Sequence, residues 1–168
     1  QEGRTDEPTA GFGLKAVWSA TELFGKAAAA VRGAPDASTV EGAAPRSIDE
    51  AVARLVRDYE RNYFISGEVD EALYEVDCEF ADPFASFRGR QRFVDNLRNL
   101  AGGFITDARI RTLDTRLERG SSSVPPSYTT RLLVKLQLAL PWRPVLAWVW
   151  GVEHVFDPQT SLVVRHIG

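Results

Sequence analysis

With 168 residues, 44% of them hydrophobic, the chain is long enough to bury the core of one domain of ordinary size. Its net charge of -3 excludes the concentrated basic face with which proteins bind nucleic acid. One cysteine and two histidines exclude an internal disulfide and a zinc cluster, and there is no phosphate-binding glycine loop, so we expect no metal and no cofactor. Because no apolar run reaches the roughly 20 residues of a membrane-spanning helix, no transmembrane segment is expected.

Residues 1–45 are predicted to form an arm that precedes the domain. Apolar side chains recur at helical spacing over residues 12–31, which predicts an amphipathic helix, and the Gly-, Ala- and Pro-rich residues 33–45 follow as a linker. A helix outside the domain needs another surface for its apolar stripe, so Trp18 and Phe24 are predicted to contact a partner. The chain begins at Gln1 and contains no methionine, so its start is predicted to be either a processing site or a trimmed end, with any targeting peptide already removed.

The domain itself, residues 46–168, is predicted to begin with helices. Ser47 and Glu50 fit a capping box, and the apolar stripe after them predicts a helix that ends at Ser66 and Gly67. The next elements are predicted to be a short helical turn at 69–73, a strand at 74–80 that Asp82 and Pro83 end, and a helix at 90–100.

Extended segments fill the rest of the chain. Turn-forming stretches separate four of them, at residues 105–119, 128–140, 144–156 and 162–167. Helices followed by a run of strands predict an α+β fold, in which a curved antiparallel sheet wraps around the N-terminal helices as a cone.

The third of these segments is apolar on both faces. Trp148, Trp150 and His154 share one face, and Glu153 points to the other. We expect one face to cover the helix-lined core and the other to meet a second subunit or a partner protein. The alternative is a core that the aromatic residues enlarge and the N-terminal helix covers. Trp142, in the preceding PWRP turn, is a further candidate for partner contact.

Several remaining polar residues receive structural interpretations. His166, near the end of the last strand, is typical of a hydrogen-bonded structural histidine, and Cys78 of a small buried hydrophobe. Four arginines on the long strand at 105–119 lie near acidic residues and indicate a solvated, partly neutralised surface, with a docking patch as the alternative: Arg109, Arg111, Arg116 and Arg119.

The order of elements is similar to that of the nuclear-transport-factor-like, or SnoaL-like, cone fold. The stretches LYEVDCEFADPFASFRGRQRFVDNL, LPWRPVLAWVWGVEHVFD and LVVRHI resemble a plant, algal and cyanobacterial branch of that superfamily. FGLKAVW, in the arm, resembles an extension of its chloroplast members. The resemblance implies a chloroplast location, in the stroma or at the thylakoid periphery, and it does not specify an activity.

Ketosteroid isomerases of the same superfamily place a general-base aspartate in an Asp-Pro step at the end of the first strand. Their oxyanion hole uses a tyrosine of the first helix and a protonated acid on a late strand. The resemblance assigns these roles to Asp82, Tyr59 and Glu153, although Glu153 is a glutamate and the spacing after Tyr59 is one residue longer. Neighbouring phenylalanines would desolvate Asp82, as suits a general base, whereas the alternative is that Asp82 only ends the strand.

Two functions therefore follow from the sequence. The first is a noncatalytic chloroplast protein that docks on a larger protein complex, for example a photosynthetic or membrane-associated one, through Trp148, Trp150 and the arm; it could also form a homodimer. The second is a small-molecule enzyme of the isomerase or dehydratase type with a carboxylate base in its pocket. An open pocket with convergent polar groups would favour the enzyme, and a cone filled by tryptophan and phenylalanine would favour the docking protein.

Overall fold

The computed structural model describes residues 42–82, 86–101 and 105–168. The predicted arm helix at 12–31, with Trp18 and Phe24, lies outside these ranges. The elements in chain order are α1 (Ile48–Glu60), α2 (Tyr63–Ser66), a 3-10 helix (Glu71–Leu73), β1 (Tyr74–Ala81), β2 (Ser86–Arg88), α3 (Arg90–Ala101), β3 (Ile105–Glu118), β4 (Ser127–Leu138), β5 (Val145–Phe156) and β6 (Val163–Ile167).

Helix α1 begins where its capping residues predict. The Ser47 side chain accepts the backbone N–H of Glu50 at 3.2 Å, and the Glu50 carboxylate accepts the backbone N–H of Arg46 at 3.0 Å. The helix ends earlier than predicted, at Glu60, because Asn62 adopts a left-handed conformation with φ 52° and redirects the chain into α2. Gly67, also left-handed with φ 71°, then ends α2 at the predicted position.

The strands form one six-stranded sheet in the order β2-β1-β6-β5-β4-β3. The α+β cone fold is confirmed, and the four long predicted strands are all present. All neighbouring strands are antiparallel except β1 and β6, which run parallel. These two strands come from opposite ends of the domain, so no hairpin dictates their direction. Strand β2 is too short to show the alternation by which the sequence reveals a strand.

Helices α1 to α3 cover one face of the sheet, which we call the core face. Aromatic rings fill much of it: the rings of Phe80 and Phe93 stack with their centroids 4.0 Å apart, and Tyr74 lies 5.5 Å from Phe93. Cys78 is buried, as predicted. Trp148 and Trp150 also pack against this core cluster, so the tryptophans of β5 lie on the side of the sheet that the helices cover.

The opposite face of the sheet, which we call the open face, carries exposed side chains. Val145 and Val149 of β5 are 51% and 53% exposed, and Leu133 of β4 is 39% exposed. Within the described ranges, no helix is long and apolar enough to cross a membrane. The two faces of β5 thus differ: the aromatic one is covered, and the one with small aliphatic side chains is not.

Candidate ligand-binding cleft

A cleft of about 490 Å³ opens on the core face, between α1 and the strands β3 and β4. Six of its ten lining residues carry a hydroxyl or amide group, so neutral hydrogen-bonding groups dominate its surface. Two are charged and two are aliphatic. The lining comprises Val56, Tyr59, Glu60 and Asn62 at the helix side, and Ile110, Arg111, Thr112, Thr115, Tyr128 and Thr130 at the sheet side.

The helix side of the cleft follows from helical spacing. Val56, Tyr59 and Glu60 lie three and four residues apart on α1, so their side chains share one face of the helix. The left-handed turn at Asn62 then brings this residue to the same wall.

A β-bulge shapes the sheet side. Thr112 pairs with Leu132 and Thr115 pairs with Thr130, and the register shifts between Thr112 and Asp114. Regular alternation would send Thr112 and Thr115 to opposite faces, since they are three residues apart. Because the bulge adds one residue, both threonines face the same side as the buried Leu132 and Thr130. The bulge therefore delivers a second hydroxyl to the cleft.

The deepest part of the cleft is formed by buried Tyr59, Tyr128 and Thr130. Burial raises the pKa of the Tyr59 phenol well above its ordinary value, and contacts with the Thr130 and Tyr63 side chains act in the opposite direction. The phenol is therefore neutral at physiological pH. A neutral phenol can donate a hydrogen bond to a bound molecule.

Behind the cleft lies a pair of buried histidines. His154 of β5 and His166 of β6 are directly opposite in the strand register, and their ring centroids are 4.8 Å apart. The Tyr63 hydroxyl lies 3.1 Å from Nε2 of His166, and the Tyr59 ring packs edge-on against His154 with centroids 6.1 Å apart. The interpretation of His166 as a hydrogen-bonded structural residue is confirmed. Tyr59 thus connects the cleft to the histidine pair.

Both histidines are neutral in the folded protein. Burial lowers the pKa of His166 to about 4. Burial, and then the proximity of His166, lower the pKa of His154 well below its ordinary value. The nearby Tyr128 backbone acts in the opposite direction and raises the pKa of His154. The distance and angle between this backbone and the ring are nevertheless not those of a hydrogen bond. Neither histidine carries a charge at neutral pH.

In this region, one ring of the histidine pair and one nearby hydroxyl have no hydrogen-bond partner among the described residues. They are the His154 ring, through both Nδ1 and Nε2, and the Tyr74 hydroxyl. Burying such groups costs stability, because the hydrogen bonds with water are lost and none replaces them. In native proteins, ordered water or a ligand commonly satisfies groups of this kind.

Asp58 is the buried carboxylate of α1, and its partners are structural. It accepts the backbone N–H of Asp70 at 3.0 Å and pairs with Arg61. Burial raises its pKa, while the bonds from Asp70 and Arg61 act in the opposite direction. Asp58 therefore ties the end of α1 to the segment before the 3-10 helix. Among the residues that the structure describes, no group of three histidine, cysteine, aspartate or glutamate residues could hold a metal ion.

The structure does not bring the three predicted catalytic residues together. Tyr59 lines the cleft. Glu153 pairs with Thr129 and Ile167 and lies one residue from His154, so it faces the open side of the sheet, as the alternation predicted. Asp82 directly follows β1, two strands away from β5, and neither Asp82 nor Glu153 is among the described lining residues.

Sequence reasoning missed the threonine wall and the histidine pair. The sequence does contain a signal for the threonine wall. Thr130 interrupts an otherwise apolar face of its predicted strand, the face that also carries Tyr128 and Leu132. The bulge that aligns Thr112 with Thr115 leaves no comparable mark. The only two histidines of the chain lie on its last two predicted strands, but their pairing required the register.

The sequence matches a known family over most of the domain. Residues 49–166 match the family described as "Uncharacterized conserved protein (DUF2358)". The chain belongs to this family. No curated protein matches the sequence significantly. Membership in the family leaves the activity open, and the plant and chloroplast branch stays a prediction.

Solved structures share the fold of this family member. One is a TerC structure co-crystallised with polyporic acid, with a TM-score of 0.52 and 8% identity, covering 71% of this chain and 88% of that chain. Another is an NTF2-like protein of unknown function from Burkholderia pseudomallei, with a TM-score of 0.51 and 10% identity, covering 71% and 87%. At these identities the likeness establishes the fold alone, which is the predicted NTF2-like, or SnoaL-like, cone fold.

Proposed function

We propose that this protein binds a small, ring-bearing organic molecule in the cleft between α1 and strands β3 and β4. The observation that carries the proposal is the convergence of tyrosine, threonine and asparagine side chains on an open space of about 490 Å³. Ligand sites of small molecules typically occupy roughly 300–1,000 Å³ and combine apolar walls with a few placed polar groups. The cleft has this size, and its lining carries more polar groups than is typical.

The lining also indicates the chemistry of the ligand. Val56, Ile110 and the rings of Tyr59 and Tyr128 offer apolar contact, which suits a ring-bearing molecule. Threonine hydroxyls both donate and accept hydrogen bonds, and the neutral Tyr59 phenol donates, so hydroxyl or carbonyl oxygens on that molecule would be satisfied. TerC, which shares the fold, was crystallised with polyporic acid, and this supports polyporic acid as a first probe.

A catalytic version of the proposal assigns proton transfer to the same cleft. Tyr59 would donate a hydrogen bond to an oxygen on which negative charge develops. Glu60 is the carboxylate among the described lining residues, at the exposed end of α1, and would act as the general base. Asp82 as the base remains a prediction, in which the ligand would extend from the cleft towards the end of β1.

Binding of polyporic acid, measured by calorimetry on the full chain, tests the proposal. Thr115→Trp places an indole inside the cleft, and Thr106→Trp is the matched control on the same strand, since both threonines are exposed. We expect the wild type and the control to bind and Thr115→Trp to lose binding. Equal binding by both variants would place the ligand elsewhere. A failure of the wild type to bind polyporic acid or any member of a ring-bearing fragment library would reject the proposal.

Docking on a larger chloroplast assembly is a second proposal. It is supported by the predicted amphipathic helix of the arm, whose apolar stripe needs another surface. Trp148 and Trp150 support it less, because both pack against the core. Fractionation of the organelle from the native organism tests both the location and the assembly: co-migration with one complex at fixed stoichiometry is the expected result, and a free monomer would contradict it.

A further inference from the structure

The open face of the sheet carries a patch of small aliphatic side chains. Val149 lies opposite Leu133 in the register, and Ala147 of β5 lies one pair further along, opposite Lys135. Val145, the first residue of β5, completes this stripe. All four aliphatic residues are exposed. The stripe is apolar surface with no cover from the described part of the chain.

Basic side chains surround the stripe. Arg109 pairs with Lys135, Arg111 with Leu133, and Arg131 with Gly151, so all four cations project from the same face. None of them forms an ion pair with another described residue, although Asp114 lies opposite Arg131 in the register. Of the four arginines that the sequence indicated as a partly neutralised surface, Arg109 and Arg111 are the two without an ion pair among the described residues.

The remaining two arginines of that expectation are neutralised. Arg116 pairs with Glu118 at 3.0 Å, and Arg119 pairs with Asp49 of α1 at 2.8 Å. Four cations without an ion pair among the described residues therefore lie together at the patch, in a chain whose net charge is -3. Three carboxylates project from the same face, those of Asp107, Asp114 and Glu153, so the four cations outnumber the acids around them by one. Because the net charge of the chain is negative, it does not explain why these four cations lie together.

An exposed tryptophan stands at one end of the patch. Trp142 is 72% exposed in the turn between β4 and β5, and its neighbour Arg143 is exposed as well. The turn is held to the sheet, because the Leu138 N–H donates to the Pro144 carbonyl at 3.1 Å. An indole fixed beside aliphatic and cationic side chains is the combination that favours the interface between water and lipid.

Charge and shape decide between the candidate occupants. A second copy docked face to face would take the four unpaired cations out of water, which costs free energy unless each of them meets a carboxylate. A folded protein partner is typically anchored by aromatic side chains near the centre of the interface, whereas Trp142 stands at one end of this patch and the tryptophans of β5 point to the core. An anionic lipid surface needs no matching groove, and it complements both the cations and the aliphatic stripe.

We propose that the patch formed by Arg109, Arg111, Arg131, Lys135, Leu133, Val145, Ala147, Val149 and Trp142 binds the surface of an anionic lipid bilayer. The basic side chains contact the headgroups, and the aliphatic side chains and the indole enter the boundary with the acyl chains. This inference does not depend on the ligand proposed for the cleft, which opens on the other face of the sheet and has Arg111 in common with the patch.

Sedimentation of the full chain with vesicles tests the inference. We expect binding to vesicles of equal parts phosphatidylcholine and phosphatidylglycerol, no binding to pure phosphatidylcholine vesicles, and weaker binding as salt is raised. Arg109→Glu with Lys135→Glu removes two cations of the patch, and each cation lost should weaken binding about fivefold or more. Arg111 is left intact because it also lines the cleft.

The matched control is Arg46→Glu with Arg57→Glu, which changes the net charge equally at two exposed residues of the α1 region. The control should keep its vesicle binding, and thermal melting establishes that both double variants are folded. Equal loss, or no loss, in the two double variants would overturn the inference, because the attraction would then come from net charge or from the arm. A failure of the wild type to bind anionic vesicles would also overturn it.

Trp142→Ala tests the apolar contribution in the same vesicles. We expect this variant to bind anionic vesicles several-fold more weakly at high salt, where the contribution of the cations is screened. Binding of a poly-glutamate peptide in preference to anionic vesicles, lost again in Arg109→Glu with Lys135→Glu, would assign the patch to an acidic protein and overturn the lipid occupant.

Discussion

The two ends of the core face differ in how they are filled. Near β1 and β6, the rings of Phe80, Phe93 and the buried histidines occupy the space beneath the helices. Near β3 and β4, the corresponding positions carry shorter side chains such as Thr112 and Thr115, and a cleft remains open. The comparison teaches that a cone fold does not in itself provide a pocket. The size of the side chains along each strand decides where the interior is solid and where it can admit a ligand.

The largest expected effect comes from opening a cavity at the filled end. Phe93→Ala removes the ring that stacks on Phe80 and should lower the free energy of unfolding by about 3–5 kcal/mol. Urea unfolding measures the change. Val149→Ala, on the open face, is the control and should stay within about 0.5 kcal/mol. A small effect of Phe93→Ala would mean that the filled end is as adaptable as the cleft.

The histidine pair should make the stability of the filled end depend on pH. Both rings stay neutral when folded, but each regains a pKa near 6.5 when unfolded, so the unfolded chain binds more protons below that pH. Lowering the pH from 7 to 5 should therefore reduce the free energy of unfolding, by about 2 kcal/mol for each histidine. The loss continues towards pH 4, where His166 protonates in the folded state.

His154→Leu isolates one of the two contributions. It replaces the ring whose nitrogens have no partner among the described residues with an apolar side chain of similar size. Urea unfolding at pH 7 and pH 5 should show a loss about 2 kcal/mol smaller than in the wild type. Asp58 and the other carboxylates are common to both proteins and cancel in the difference. An unchanged pH dependence would show that His154 is not buried in its neutral form.

A smaller effect is expected at the open end. Tyr59→Phe removes the phenol hydroxyl that a ligand in the cleft would contact and keeps the ring that packs against His154. Once a ligand of the cleft is in hand, calorimetry should show its affinity weakened by about 1 kcal/mol, the net worth of one hydrogen bond. Thr106→Val, outside the cleft, is the control. Unaltered affinity in Tyr59→Phe would remove the phenol from the site.

The smallest effect on the domain should follow removal of the arm. A chain that begins at Arg46 loses the bond that the Arg54 guanidinium donates to the Ala43 carbonyl at 2.8 Å, and this should cost about 1 kcal/mol. Arg54 keeps its ion pair with Asp70 at 2.7 Å, so the domain should remain folded by circular dichroism. Association with a larger assembly should be lost if the arm carries it, and native electrophoresis of organelle extracts would detect the change.

The sequence was most informative where a local pattern dictates the structure. The capping serine of α1, the alternation of the four long strands and the opposite orientations of Glu153 and His154 all follow from neighbouring residues. The parallel pairing of β1 with β6, the bulge near Leu113 and the contact between His154 and His166 depend on residues far apart in the chain. The cleft belongs to the second group, because its walls come from elements that only the tertiary fold brings together.

The resemblance to ketosteroid isomerases transferred Tyr59 to a cleft and left its two companions outside the lining. A tyrosine at a fixed turn of the first helix keeps its place whenever that helix packs on the sheet. The position of a residue at a strand end, such as Asp82, depends on how far the strand extends. The face of the sheet to which a residue such as Glu153 points depends on the alternation of side chains along the strand. The position of Tyr59 in a cleft therefore follows from the packing of its helix, and its catalytic role stays a prediction.

The bulge in β3 has a further consequence. The extra residue bends the strand and increases its twist. The width of the cleft is therefore set by the number of residues in β3 as well as by their identity. Deleting Leu113, an exposed residue that is not among those lining the cleft, would straighten the strand and reshape the cleft while every lining side chain stayed the same. Among relatives, a change in strand length at this position would alter the shape of the cleft, and a comparison of the lining residues alone would overlook it.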